Sequence, residues 1–179
     1  MKKLVILAAL MTMSVSSWAA VGTVALNNFD SDKPVFAIGG APVPVNQDYF
    51  VQLLGGPVGG TLGAVVPTGG GTGVLSFTDF AGYFDGGVGI VPGAAANGQA
   101  SFELRAWKGA AGYDAANERG SVTWNQAVGS WDNTAQPPPP PSGAVLDIPS
   151  NLQIAIIPEP STIALGLLGA AALLIRRRK

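Results

Sequence analysis

Between Ala20 and Ile157 the apolar residues come only in short runs, each cut off by Gly, Pro, Asn or Asp. No stretch there keeps the helical repeat long enough to give an amphipathic helix a continuous apolar face. That punctuation leaves strands as the elements. The runs Gly22–Asn27, Pro34–Ile38, Tyr49–Leu54, Gly73–Phe77, Gly87–Val91, Ala100–Trp107, Ser121–Trp124 and Leu152–Ile157 are rich in Val, Ile, Phe and Trp, as pleated, half-buried surfaces require. Ser101–Trp107 alternates most clearly. It places Phe102, Leu104 and Ala106 on one face and Glu103, Arg105 and Trp107 on the other. The reading is all-β: a single β-sandwich or jelly-roll-like domain over residues 20–157.

Three segments modify that picture. Residues 55–73 hold nine glycines in nineteen positions, which predicts a loop. They lack the Lys-Ser/Thr of a phosphate-binding loop, so nucleotide binding is not expected. Tyr113–Arg119 predicts one or two turns of helix closed by Gly120. Pro137–Pro141 is a run of five prolines, an extended rod of about 15 Å at about 3.1 Å per residue. We read it as an exposed loop, because Ala144–Ile157 is apolar again and returns as a final strand.

The two ends have a different chemistry. Residues 1–19 read as a signal peptide: Lys2 and Lys3, an apolar Leu4–Met13, and small residues at Ser17 and Ala19 where signal peptidase cuts. Residues 158–179 begin Pro158-Glu159-Pro160, run apolar from Ile163 to Ile175 and finish Arg176-Arg177-Arg178-Lys179. A helix over 161–175 is about 22 Å long at about 1.5 Å per residue, a minimal span of a core about 30 Å thick. The four basic side chains snorkel to the interface and stop transfer. Positive charge stays in the cytoplasm, so both ends agree that everything between lies outside, with the tail helix in membrane lipid.

The order Pro-Glu-Pro, apolar helix, Arg-rich end resembles the PEP-CTERM sorting signal of Gram-negative bacteria, over Pro158–Pro160, Ile163–Ile175 and Arg176–Lys179. The resemblance implies recognition and cutting by exosortase, a membrane protease. It implies an inner-membrane-anchored precursor delivered to the cell surface or an exopolysaccharide matrix. Tyr49–Pro57, and Leu104–Trp107 followed by Tyr113–Ala116, are loosely similar to the bodies of other proteins with this tail. That similarity carries no activity.

The exported part, residues 20–160, carries four basic and eleven acidic residues, a net charge of 4 − 11 = −7. This argues against nucleic acid as a partner. The chain has no cysteine and no histidine, which removes Cys–His and Ser–His–Asp catalysis, and zinc sites built on those residues. Asp79, Asp85, Glu103, Asp114 and Glu118 remain for carboxylate chemistry, but no spacing selects a pair. Asp30 and Asp32 have the oxygens calcium takes; the same Asp-Ser-Asp reads as an Asx-turn. Trp107, Trp124 and Trp131 are candidates for stacking on sugar. Trp107 is singled out because it falls on the charged face of its strand. The expectation is a non-enzymatic surface or matrix protein with no cofactor. A carbohydrate-binding module acting on exopolysaccharide is the alternative.

Overall fold

The computed structural model describes residues 20–77, 79–109, 111–132, 140–157 and 168. The signal peptide with Ser17 and Ala19, the tail with Pro158–Pro160 and Arg176–Lys179, and Pro137–Pro139 lie outside the described residues. Among the described residues no helix is long and apolar enough to cross a membrane.

The body is built almost wholly of strands. They are β1 (Val21–Asn27), β2 (Val35–Phe36), β3 (Tyr49–Pro57), β4 (Gly63–Ala64), β5 (Val66–Pro67) and β6 (Val74–Ser76), followed by β7 (Asp85–Ala95), β8 (Gln99–Lys108), β9 (Glu118–Ala127), β10 (Gly129–Trp131), β11 (Leu152–Gln153) and β12 (Ala155–Ile156). One sheet runs β12-β9-β8-β3-β4, with β6 also on β3; a second runs β10-β1-β7-β5; β11 and β2 form a small parallel pair.

The largest sheet is organised around β8. Nine residue pairs join it to β3 and nine join it to β9, all antiparallel. The strict alternation along β8 sends Phe102, Leu104 and Ala106 inward, where they are buried. Across the ladder they meet Gly55, Leu53 and Val51 of β3. From the second sheet come Val24, Leu26, Val91 and Ala94, and all of these residues share one core.

Two glycines leave room for core side chains. A Cβ on Gly55 would lie 2.9 Å from Val91 Cγ1 and 3.0 Å from the Phe102 ring. One on Gly89 would lie 2.6 Å from both Leu26 Cδ1 and Val65 Cγ1. Core side chains, from neighbouring strands of the same sheet as well as from the facing one, occupy the space that a methyl group would take.

All eight expected strands are present, with bounds shifted by a few residues. The glycine-rich stretch is more structured than its composition predicts. Gly55–Pro57 continue β3, and 63–64 and 66–67 are strands. Glycine here serves close packing as well as turning. Tyr113–Arg119 is not helical: Ala116 N–H donates to Tyr113 O at 3.3 Å in a turn, and Glu118, Arg119 and Gly120 already belong to β9. Tertiary pairing with β8 overrides the local helical preference. β10 was not visible in the sequence.

The segment after the prolines packs on the body. Ala25 N–H donates to Ala144 O at 2.8 Å, and buried Thr23 donates through Oγ1 to Ser142 O at 2.7 Å. Gln126 of β9 clamps it further: Nε2 donates to Val145 O at 2.9 Å, and Oε1 accepts from Asp147 N–H at 2.8 Å. Leu146, Ile148, Leu152 and Ile154 are buried. The last strand is split at Ile154, whose N–H turns to Phe36 O at 2.8 Å. The chain thus leaves β2 and joins the edge of the large sheet, where Ala155 pairs with Arg119.

A buried asparagine ties two loops together. Asn28 is fully buried. Its Nδ2 donates to Lys33 O at 2.8 Å and Gly82 O at 3.0 Å, and its Oδ1 accepts from Phe84 N–H at 2.8 Å. Replacing Asn28 by Ala leaves buried backbone groups without partners. Urea unfolding of Asn28→Ala is expected to show a loss of about 3 kcal/mol. A loss within about 0.5 kcal/mol, the usual range for an inert surface change, would mean that the three bonds do not hold the loops.

Candidate functional site

Two surfaces gather side chains of the kind that bind ligands. The first is the outer face of the large sheet. Register places Phe50 of β3, Trp107 of β8 and Arg119 of β9 side by side. The turn between β8 and β9 folds back over them. Trp107 stacks on Phe50 with ring centroids 5.9 Å apart, and meets Tyr113 edge-to-face at 6.1 Å. The Tyr113 ring lies between two guanidinium groups, Arg105 at 4.8 Å and Arg119 at 5.3 Å. Arg119 also donates through Nη1 to Tyr113 O at 2.9 Å and Asp114 O at 2.6 Å, which fixes the turn. Phe50, Val74, Trp107 and Gly112 line an open pocket of about 300 Å³.

Trp107 is therefore a wall of this face and not a presented ring; only 4 % of it meets solvent. Its Nε1 and the Nε of Arg105 are buried without a hydrogen-bond acceptor, and the electron-rich Tyr113 ring is packed against both residues. The cations around it have partners. Arg105 Nη2 lies 2.9 Å from Glu103 Oε2, and this bond holds the guanidinium pKa above its ordinary value. Lys108 Nζ lies 3.5 Å from Glu118 Oε2. The Tyr49 phenol first, and Glu118 second, raise its pKa. Trp124 lies on the opposite, core-facing side of the sheet, stacked on Phe102 at 5.6 Å, and Trp131 belongs to the second sheet. The three tryptophans do not form one row.

The second surface lies on the two loops that Asn28 joins. Phe29 stacks on Tyr83 at 4.9 Å with planes 13° apart, and Phe80 meets Phe29 edge-to-face at 5.6 Å. Phe80 is 62 % exposed and Phe29 39 %. Tyr83 donates its hydroxyl to Asp32 Oδ1 at 2.7 Å. Asp30 and Asp32 sit in a turn in which Asp32 N–H donates to Phe29 O at 3.0 Å. The side chain capping that turn is Asn27, whose Oδ1 accepts from Asp30 N–H at 3.4 Å. Among the described residues no three of the acidic side chains group as a metal site.

The remaining carboxylates are spread out. Glu103 and Glu118 each face a cation, and Asp85 Oδ1 accepts from Gly87 N–H at 2.9 Å within its own turn. Sequence reasoning missed both aromatic clusters. The local sign of the second was an aromatic residue beside Asp in each loop: Phe29-Asp30, Asp79-Phe80 and Phe84-Asp85.

A body built mostly of β-strands is the class that the structure defines. A family model described as the PEP-CTERM protein-sorting motif matches residues 157–179. No curated protein and no solved structure matches the chain. The chain thus carries a PEP-CTERM sorting signal, which marks an exported protein processed at the membrane by exosortase.

The Asp32 carboxylate raises the Tyr83 pKa above 10.0, chiefly by accepting the phenol proton in a hydrogen bond. A raised pKa means that the bond contributes below the unfolded value and is lost as pH climbs through the folded one. Ultraviolet titration should show Tyr83 ionising above 10.0, and Asp32→Ala should bring it back towards that value. An identical titration in both proteins would show that this bond is not made.

Proposed function

We propose that the chain is the precursor of a non-enzymatic protein of the cell surface or extracellular matrix. The signal peptide, residues 1–19, starts export and is removed by signal peptidase. The helix over 161–175 halts in membrane lipid with Arg176, Arg177, Arg178 and Lys179 on the cytoplasmic side. Exosortase then recognises Pro158-Glu159-Pro160, cuts near it and releases the body to the surface or to an exopolysaccharide matrix.

The observation carrying this reading is where the last described strand ends. Ile156 pairs with Glu118 at the sheet edge, and Ile157 N–H donates to Asn117 O at 2.8 Å. The family match begins at residue 157. The sorting motif starts where the last described strand ends, so a cut in the tail leaves every core residue named above in the body. The body has the properties that an exported domain needs. It is held by burial with no disulfide and is net acidic, which favours solubility.

Mass analysis of the mature protein tests the proposal. The wild type is expected to have lost both the signal peptide and the C-terminal helix; Glu159→Ala is expected to keep the helix and stay with the membrane. Identical C-termini in the two proteins would reduce the tail to a plain anchor.

A further inference from the structure

We infer that the paired loops 28–33 and 79–84 form a binding site for a neutral polysaccharide. The inference rests on the body lying outside the cell, and it places sugar contact away from Trp107.

A single exposed phenylalanine needs no explanation. Here Phe29 touches both Phe80 and Tyr83, and the two loops that carry the three rings are fastened together by a fully buried asparagine with three hydrogen bonds. A site fixed before the ligand arrives loses little freedom on binding. Phe80, the most exposed of the three, has most of its surface in solvent, and Phe29 stands edge-to-face beside it. Apolar ring faces of this kind suit the C–H face of a pyranose.

Charge selects among the possible occupants. Asp30, Asp32, Asp79 and Asp85 lie in or beside these loops, against Lys33 alone. Anionic polymers, nucleic acid and acidic lipid are repelled. A dry protein interface would have to strip water from these carboxylates, which is unfavourable unless each is paired. A neutral sugar meets both requirements: its C–H face lies on the rings, and its hydroxyls donate to carboxylate oxygens at their rim. Asp32 already accepts from Tyr83 through Oδ1, and its second oxygen is the acceptor assigned to a sugar hydroxyl.

Affinity electrophoresis of the purified exported protein tests this. The gels contain a neutral glucan, mannan or galactan, with alginate as the anionic polymer and chitosan as the cationic one. At least one neutral polymer is expected to retard the wild type, and alginate is not. Phe80→Ala and Phe29→Ala should each weaken that retardation about tenfold, the contribution of one stacked ring. Both positions are exposed, and circular dichroism checks that the variants stay folded. Val74→Ala, in the pocket beside Trp107, should bind as the wild type does. No retardation by any neutral polymer, retardation by chitosan alone, or unchanged binding in Phe80→Ala would overturn the assignment. Glu159→Ala, which tests delivery, should leave binding intact, so the two readings fail separately.

Discussion

The structure depends on β8 being paired along its whole length on both sides. With β3 and β9 hydrogen-bonded to it over nine residues each, its backbone groups are satisfied and its side chains are committed to two faces. One face must then be apolar and the other free to vary. Phe102, Leu104 and Ala106 anchor the core. Glu103, Arg105 and Trp107 support the outer cluster, and the same ladder that fixes the core brings Phe50 and Arg119 to Trp107. A shift of one residue in register would exchange the two faces, placing an ion pair in the core and three apolar side chains in water.

The strands were legible because their signal is local. Alternation and Gly/Pro punctuation can be read within a window of a few residues, and both were strongest where the sheet is longest. What escaped reading depends on contacts between distant residues. The covering of Trp107 required Tyr113 to fold back over β8, and no pattern within β8 announces that. The stacking of Phe29 on Tyr83 joins loops 54 positions apart in sequence (83 − 29). Composition also misled at residues 55–73. Glycine signals turns, but at Gly55 it makes room for Phe102 and Val91, and abundance alone does not separate the two roles.

The body and the tail divide the work physically. The body has its own apolar core, to which Leu152 and Ile154 at the last strands contribute. The tail's sorting signal begins where those strands end. Exposed Ile156 and Ile157 sit at that junction, at the sheet edge where the last described strand ends. Nothing in this arrangement requires the body to recognise its destination, since the address is carried by the tail. The loops held by Asn28, remote in sequence from that address, are left to serve the protein after delivery.

The central claim is that residues 20–157 complete their own core without the tail. The most direct test is the chemical unfolding of a protein ending at Ile157, compared with one ending at Asn151. The first is predicted to unfold in a single cooperative transition. The second lacks the buried Leu152 and Ile154 and is predicted to lose at least about 4 kcal/mol or fail to fold. A protein ending at Ile157 that melts without cooperativity and exposes its apolar surface would contradict the account.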